Sequence, residues 1–220
     1  MRTIIFIQIL LATIFSLGAC GNGEDTPSPT APTTDETNQS GDKTDKNNSS
    51  ISGPYLIVYF SRTGNARSIA TEIQKQIGGD LVEIKTNNTY PSDYNQMLTV
   101  GQQEINAIDN NGTYPGIQTS VASFEKYNAI FICTPLWWSR MSTPMQSFLH
   151  NNSSKMSKKK LLIAVTSASS GISTVIADAK RICPQSVFNE NSLWVKSSEI
   201  SNESSMIKTW LSTIKASSSK

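Results

Sequence analysis

The sequence predicts an α/β domain over residues 55–220, built on a doubly wound, five-stranded parallel sheet. Three observations predict it. Short runs of β-forming apolar residues recur, and they are uniformly apolar rather than alternating, as in strands buried on both faces. Between them lie stretches with apolar residues at helical spacing. Glycine, proline and small polar residues punctuate the junctions. Strand and helix alternating in this way specify a parallel sheet covered on both faces, and five strands suit a sandwich rather than a barrel.

The first strand is Tyr55–Phe60, a continuous apolar run broken by Ser61–Asn65. Ala66–Ile77 is the first helix: Ile69, Ala70, Ile73 and Ile77 share one face, and Gly78-Gly79 stops it. Asp80–Lys85 is a short strand. Residues 93–108 form a helix with Met97, Leu98, Gly101, Ile105 and Ile108 on one side. Ala129–Thr134 is the next buried strand, and Thr143–His150 a short helix with Pro144 near its start, where proline is tolerated. Leu161–Thr166 is a further buried strand, followed by a helix over Ile172–Cys183 that ends at Pro184. Ser192–Lys196 is the last strand. Asn202–Lys215 closes the domain as an amphipathic helix carrying Met206, Ile207, Trp210, Leu211 and Ile214.

Residues 1–19 have a different texture. Arg2 supplies positive charge, and Ile4–Leu17 is an apolar run interrupted by Gln8, Thr13 and Ser16. A membrane-crossing helix needs about 18 or more apolar residues, so this shorter leading run reads as a secretion signal. Leu17-Gly18-Ala19-Cys20 resembles the lipobox of bacterial lipoproteins. That resemblance implies acylation of Cys20, an extracytoplasmic location and contact with the membrane through the lipid anchor only; each buried methylene adds about 0.8 kcal/mol to such anchoring. The competing reading is a soluble secreted protein with a chance cysteine. Residues 20–54, rich in Thr, Ser, Asn, Asp, Gly and Pro, cannot bury enough surface to offset ordering entropy and read as a disordered linker.

Charge follows the same division. The net charge is +2, which gives no basis for nucleic-acid binding. Residues 21–54 hold six acidic side chains against Lys43 and Lys46, whereas residues 55–220 hold sixteen basic and eleven acidic ones. A mildly basic domain therefore follows an acidic tether. Beyond Cys20 there are two cysteines, Cys133 and Cys183, without metal-ligand spacing. Cys133 reads as a small buried hydrophobe, and two free thiols are expected, a bridge between them being the alternative. A single histidine, His150, excludes histidine triads and multi-histidine metal sites and reads as a helix-end residue.

In a doubly wound sheet ligands sit beyond the carboxyl ends of the strands, at the topological switch point, so the chemistry is expected in three loops. Ser61-Arg62-Thr63-Gly64-Asn65-Ala66 runs from a buried strand into a helix start. Free N–H groups and the helix dipole gather there and suit a phosphate, or the segment is an ordinary turn with Asn65 as N-cap. Thr134-Pro135-Leu136-Trp137-Trp138-Ser139-Arg140-Met141 carries adjacent tryptophans. One can face the core while its neighbour faces outward to stack on a planar ligand, or both cover the sheet edge. Ser167-Ala168-Ser169-Ser170-Gly171-Ile172 is small and polar, suited to hydrogen-bonding a heterocycle or to capping the next helix.

Together, Val58-Tyr59-Phe60-Ser61-Arg62-Thr63-Gly64-Asn65, Tyr90-Pro91-Ser92-Asp93-Tyr94 and Pro135-Leu136-Trp137-Trp138 resemble the flavodoxin-like family, in particular a group found in bacterial lipoproteins and quinone reductase-like proteins. The resemblance covers residues 55 to about 215 and implies strand order 2-1-3-4-5 with FMN at the switch point. It implies that Ser61, Thr63, Gly64, Asn65 and Ala66 hold the FMN phosphate, that Pro135, Leu136, Trp137 and Trp138 flank the isoalloxazine, and that Thr166, Ser167, Ala168, Ser169, Ser170 and Gly171 meet its pyrimidine edge. Two features depart from the family pattern. Ala66 stands where such loops end in a hydroxyl residue, a loss of about 1.5–3 kcal/mol in hydrogen bonding to a charged group. The domain is basic where electron-shuttling relatives are acidic, so its redox partner differs from theirs.

The implied function is an FMN-binding redox protein outside the cytoplasm, either an electron carrier or a quinone reductase-like oxidoreductase, with an unidentified redox partner. The competing readings are a cofactor-free module using the Trp137/Trp138 loop as a binding surface, and a reductase with a nicotinamide donor. Arg62 and Arg140 either sit in solvated positions, the preferred reading, or approach substrate or phosphate. Lys155, Lys158, Lys159 and Lys160 are expected in a wet loop, contact with anionic lipid head groups being the alternative, and Tyr94 either covers the flavin or packs.

Overall fold

The computed structural model describes residues 53–169 and 171–216. The signal segment 1–19, Cys20, the linker as far as Ser52, and Ser170 of the candidate site lie outside the described residues. The elements are β1 (Tyr55–Tyr59), α1 (Asn65–Ile77), β2 (Asp80–Glu83), α2 (Tyr94–Asn111), β3 (Ala129–Trp137), β4 (Arg140–Met141), α3 (Thr143–Asn152), β5 (Lys160–Ser167), α4 (Ser173–Ile182), β6 (Val187–Phe188), β7 (Leu193–Lys196) and α5 (Glu203–Ala216).

The sheet runs β2-β1-β3-β5-β6, with β7 also paired to β5 and β4 paired to β3. Every pairing is parallel except β3 with β4. The sheet therefore has seven strands where five were expected. The expected final strand, Ser192–Lys196, is β7, and the short β6 ahead of it is one of the two additional strands. Val187–Phe188 pairs with the start of β5 and Leu193–Lys196 with its end, because an Asx turn, Asn191 N–H to Asn189 Oδ1 at 2.8 Å, separates them. The other additional strand is the return arm of a hairpin. Pro135, Leu136 and Trp137, expected in a loop, continue β3, which is nine residues long.

Helices cover both faces. Ile69 and Ile73 of α1 and Ile207, Trp210, Leu211 and Ile214 of α5 pack with Ile57, Phe131 and Leu162. Met145, Phe148 and Leu149 of α3 and Val175, Ala179 and Ile182 of α4 pack with Leu56, Ile130 and Ile163 on the other face. Each buried Val, Leu, Ile, Phe or Met side chain contributes about 1.5–3 kcal/mol by leaving water. Cys133 lies in the first cluster and Cys183 in the second; both are buried and free. Burial raises both thiols, Cys183 to about 11, so neither is a reactive thiolate.

The register positions the site. Tyr59 at the end of β1 lies opposite Cys133, and Cys133 opposite Ala164. β3 and β5 then continue past the end of β1, as far as Trp137 and Ser167. The chain winds one way from β1 to β2 and the other way to β3, so the β1–α1 loop opens onto this overhang at the switch point.

Candidate functional site

The β1–α1 loop leaves the first turn of α1 open to an anion. Gly64, not Asn65, is the N-cap; its φ of 98° is left-handed, where glycine carries no Cβ penalty. It has no side chain to cap with, and the first turn of α1 contains no acidic residue. The N–H groups at this helix start therefore meet no capping side chain, and no carboxylate repels an anion there. By contrast, α2 is closed by its own N-cap, where Asp93 accepts from the Gln96 N–H at 2.8 Å. Ser61 Oγ accepts the Gly64 N–H at 3.1 Å and fixes the loop. Arg62 is half-buried rather than free in solvent, and its Nη1 donates to the carbonyls of Pro91 and Ser92, each at 3.2 Å. That latch joins the loop to the segment leading into α2.

The tryptophans lie on a tight hairpin. Leu136 pairs with Met141 and Trp137 with Arg140, so Trp138 and Ser139 are its two turn residues. Trp137 turns inward, edge-to-face against Phe60 at 5.4 Å and Tyr90 at 5.1 Å. Trp138 is 49% exposed, with its indole N–H donated to the Leu98 carbonyl at 2.9 Å. One tryptophan is inward and its neighbour outward, the first of the two arrangements the sequence allows.

The end of β5 forms the opposite wall. Thr166 is 4% exposed, and its Oγ1 is a buried hydroxyl oxygen without a hydrogen-bond partner. Ser167 Oγ accepts the Trp194 indole N–H at 2.8 Å. An unmet buried hydroxyl is costly, and in a cleft it marks where a ligand's polar edge fits.

These walls enclose a crevice of about 500 Å³ lined by Arg62, Thr63, Asn65, Tyr94, Met97, Leu98, Pro135, Leu136, Trp137, Trp138, Ser139, Thr166, Ser167, Ala168, Ser169 and Ser197. Thr63 and Trp138 thus border one space. Of the expected residues, Ser61 and Gly64 shape the loop from behind the lining, Ala66 is buried at 1% exposure, and Gly171 lies outside the lining. Arg62, Met97, Leu98, Ser139 and Ser197 join the lining without having been expected among the cofactor-binding residues, and Tyr94 joins it in keeping with one of its two readings. Only the Tyr-Pro-Ser-Asp-Tyr stretch hinted at the α2 contribution. Among the described residues no group of three or more His, Cys, Asp or Glu side chains could hold a metal ion.

Several other side chains depart from expectation. Arg140 is not solvated: it forms ion pairs with Asp178 at 2.7 Å and Asp109 at 2.9 Å. Their carboxylates raise its already high pKa, Asp178 foremost. Lys159 is not merely in a wet loop, since its Nζ donates to the Glu125 and Tyr127 carbonyls at 3.1 and 2.9 Å. His150, in the last turn of α3, stacks on Tyr114 with ring centres 4.1 Å apart.

An open parallel sheet with its crevice over the switch point defines a doubly wound α/β protein of the flavodoxin-like class. A family model described as Flavodoxin matches residues 54–214, and the chain belongs to that family. A flavoprotein in complex with FMN from Lactobacillus acidophilus NCFM is 19% identical, with a TM-score of 0.58 over 72% of this chain and 99% of that one. Candidate flavoproteins from Bacteroides eggerthii DSM 20697 and Bacteroides uniformis ATCC 8492 are 23% and 20% identical, with TM-scores of 0.61 and 0.59. They cover 73% and 71% of this chain, and 96% and 98% of their own. These likenesses are of fold. No curated protein matches the chain.

Proposed function

We propose that this protein binds FMN in the crevice and acts as a redox protein, an electron carrier or a flavin-dependent reductase. We propose further that it works outside the cytoplasm of a bacterium, tethered by acyl chains on Cys20 and the linker of residues 20–54. The observation that carries the FMN reading is the single crevice bordered by Thr63, Trp138 and the unpartnered Thr166 hydroxyl. The solved relative in complex with FMN supports it.

The residues fit the group. Thr63, Asn65 and the N–H donors of the first α1 turn suit the phosphate, with Ser61 and Gly64 holding the loop in shape. Ala66 contributes through its main chain, because its side chain faces the core. Trp137 and Trp138, with Pro135 and Leu136, flank the ring; Tyr94, Met97 and Leu98 extend that apolar wall. Thr166, Ser167, Ala168 and Ser169, continuing through Ser170 and Gly171, suit the polar edge of the heterocycle. When bound, FMN supplies one- and two-electron chemistry; the protein sets its potential through stacking, hydrogen bonds and local charge.

Titration of residues 51–220 with FMN tests the reading. Saturable quenching of tryptophan fluorescence and a yellow protein that survives desalting are expected. A colourless protein with unquenched fluorescence overturns it. The anchor is tested separately by metabolic labelling with a fatty acid, expected in the full chain and lost in Cys20→Ala.

A further inference from the structure

The hairpin carrying Trp138 adopts a backbone its sequence does not favour. Trp138 and Ser139 have φ of 50° and 60°. Two successive left-handed residues are the mark of a type I′ turn, which prefers Asn or Gly; a bulky residue there is strained. Such strain persists only where the surroundings over-determine the conformation.

The surroundings grip the turn from two helices. On the α4 side, Arg140 Nε donates to both oxygens of Asp178 at 3.0 and 2.9 Å, and Nη2 donates to Oδ1 at 2.7 Å. The Asp178 side chain is 5% exposed and also accepts the Met141 N–H at 3.1 Å. The Thr174 hydroxyl donates to the Ser139 carbonyl. On the α2 side, Arg140 Nη1 and Nη2 donate to Asp109 at 2.9 and 3.2 Å, and the Trp138 indole N–H donates to Leu98. Only a planar guanidinium fork can serve two carboxylates in this way. Arg140 is not among the residues lining the crevice.

We propose that Arg140, through Asp178 and Asp109, is a positioning residue that holds the strained Trp138–Ser139 turn in the one conformation that presents the indole to a flavin ring. The inference rests on the FMN reading and assigns to the clamp the ring-binding half of that site. Without it the turn relaxes and the stacking platform leaves its place, while the phosphate loop is untouched.

A double-mutant cycle on the full chain separates this from a merely structural role. Wild type, Arg140→Gln, Ser139→Gly and the double variant are titrated with FMN and with riboflavin, and the melting temperature of each is recorded. Arg140→Gln is expected to weaken both flavins about tenfold and alike, because the ring rather than the phosphate loses its partner. In the Ser139→Gly background, where glycine accepts a left-handed φ without strain, the same substitution is expected to cost less than about threefold. Arg140→Lys, lacking the fork, is expected to behave like Arg140→Gln. Equal loss in both backgrounds, or unchanged affinity with only a lowered melting temperature, overturns the inference. If Arg140→Gln fails to fold, Asp109→Asn releases the outer arm alone, and unchanged flavin affinity in it is the overturning result. A wild type that binds neither flavin overturns the FMN reading itself, a result distinct from binding that is indifferent to Arg140.

Discussion

The Tyr90 phenol donates to both carboxylate oxygens of Glu104, at 3.0 and 2.8 Å. The Thr143 hydroxyl donates to the same carboxylate. Even so, burial outweighs these donors and raises the Glu104 carboxyl above its ordinary value of 4.5. The folded state therefore holds this proton more tightly than the unfolded state. The resulting stabilisation is complete below the unfolded value and disappears as pH rises through the folded one. The melting temperature of wild type relative to Glu104→Gln should fall as pH rises above the ordinary carboxyl value of 4.5; a flat or rising difference refutes the assignment.

Thr166 should show opposite effects on stability and on binding. Its hydroxyl is buried and unpartnered in the crevice wall. Valine keeps the shape and removes a group whose unmet burial costs about 1–3 kcal/mol. Thr166→Val is expected to raise the melting temperature of the flavin-free protein while weakening FMN. Calorimetric melting paired with a fluorescence titration reads both, and a destabilised variant with unaltered FMN affinity contradicts the role given to Oγ1.

The two ends of the flavin can be weighed separately. Trp138→Ala should weaken FMN and riboflavin together, by about tenfold, since an aromatic pair is worth about 0.5–1.5 kcal/mol beyond its buried area. Thr63→Ala should weaken FMN but leave riboflavin unaffected, because a hydrogen bond to a charged group is worth about 1.5–3 kcal/mol and riboflavin has no phosphate. Equal losses for both ligands in Thr63→Ala would remove the loop from the phosphate site.

Gly79 belongs to the scaffold rather than the site. Its φ is 107°, and a Cβ there would lie 2.8 Å from the Tyr55 carbonyl oxygen. It precedes β2, whose first residue, Asp80, pairs with Leu56, at the other end of the sheet from the crevice. Gly79→Ala is expected to lower stability by about 1–3 kcal/mol in urea denaturation with flavin affinity retained.

The sequence displays most of the fold because strands buried on both faces are apolar without interruption. Tyr55–Tyr59 and the core of β5 stand out for that reason, and α1 begins within one residue of its expected start. The end of β3 was hidden by Pro135, which reads as a strand breaker. It is tolerated where β3 has outrun β1, and its carbonyl still accepts the Ser142 N–H at 3.2 Å. At the site, the glycine-bearing loop and paired tryptophans were legible because they are local. Tyr94 was legible only as one of two alternatives, and Met97 and Leu98 were not legible, since only tertiary packing brings the start of α2 to the hairpin. Arg140 was misjudged for the same reason: Asp109 and Asp178 lie 31 and 38 positions away.

The handover of β5 from β6 to β7 bears on how copies of this protein avoid one another. A long, straight margin of unsatisfied amides is a template for intermolecular pairing and fibril growth. Here one margin is cut into pieces of two and four residues, and β2 at the other spans four. Among the described residues, neither border offers an incoming chain a continuous ladder to extend.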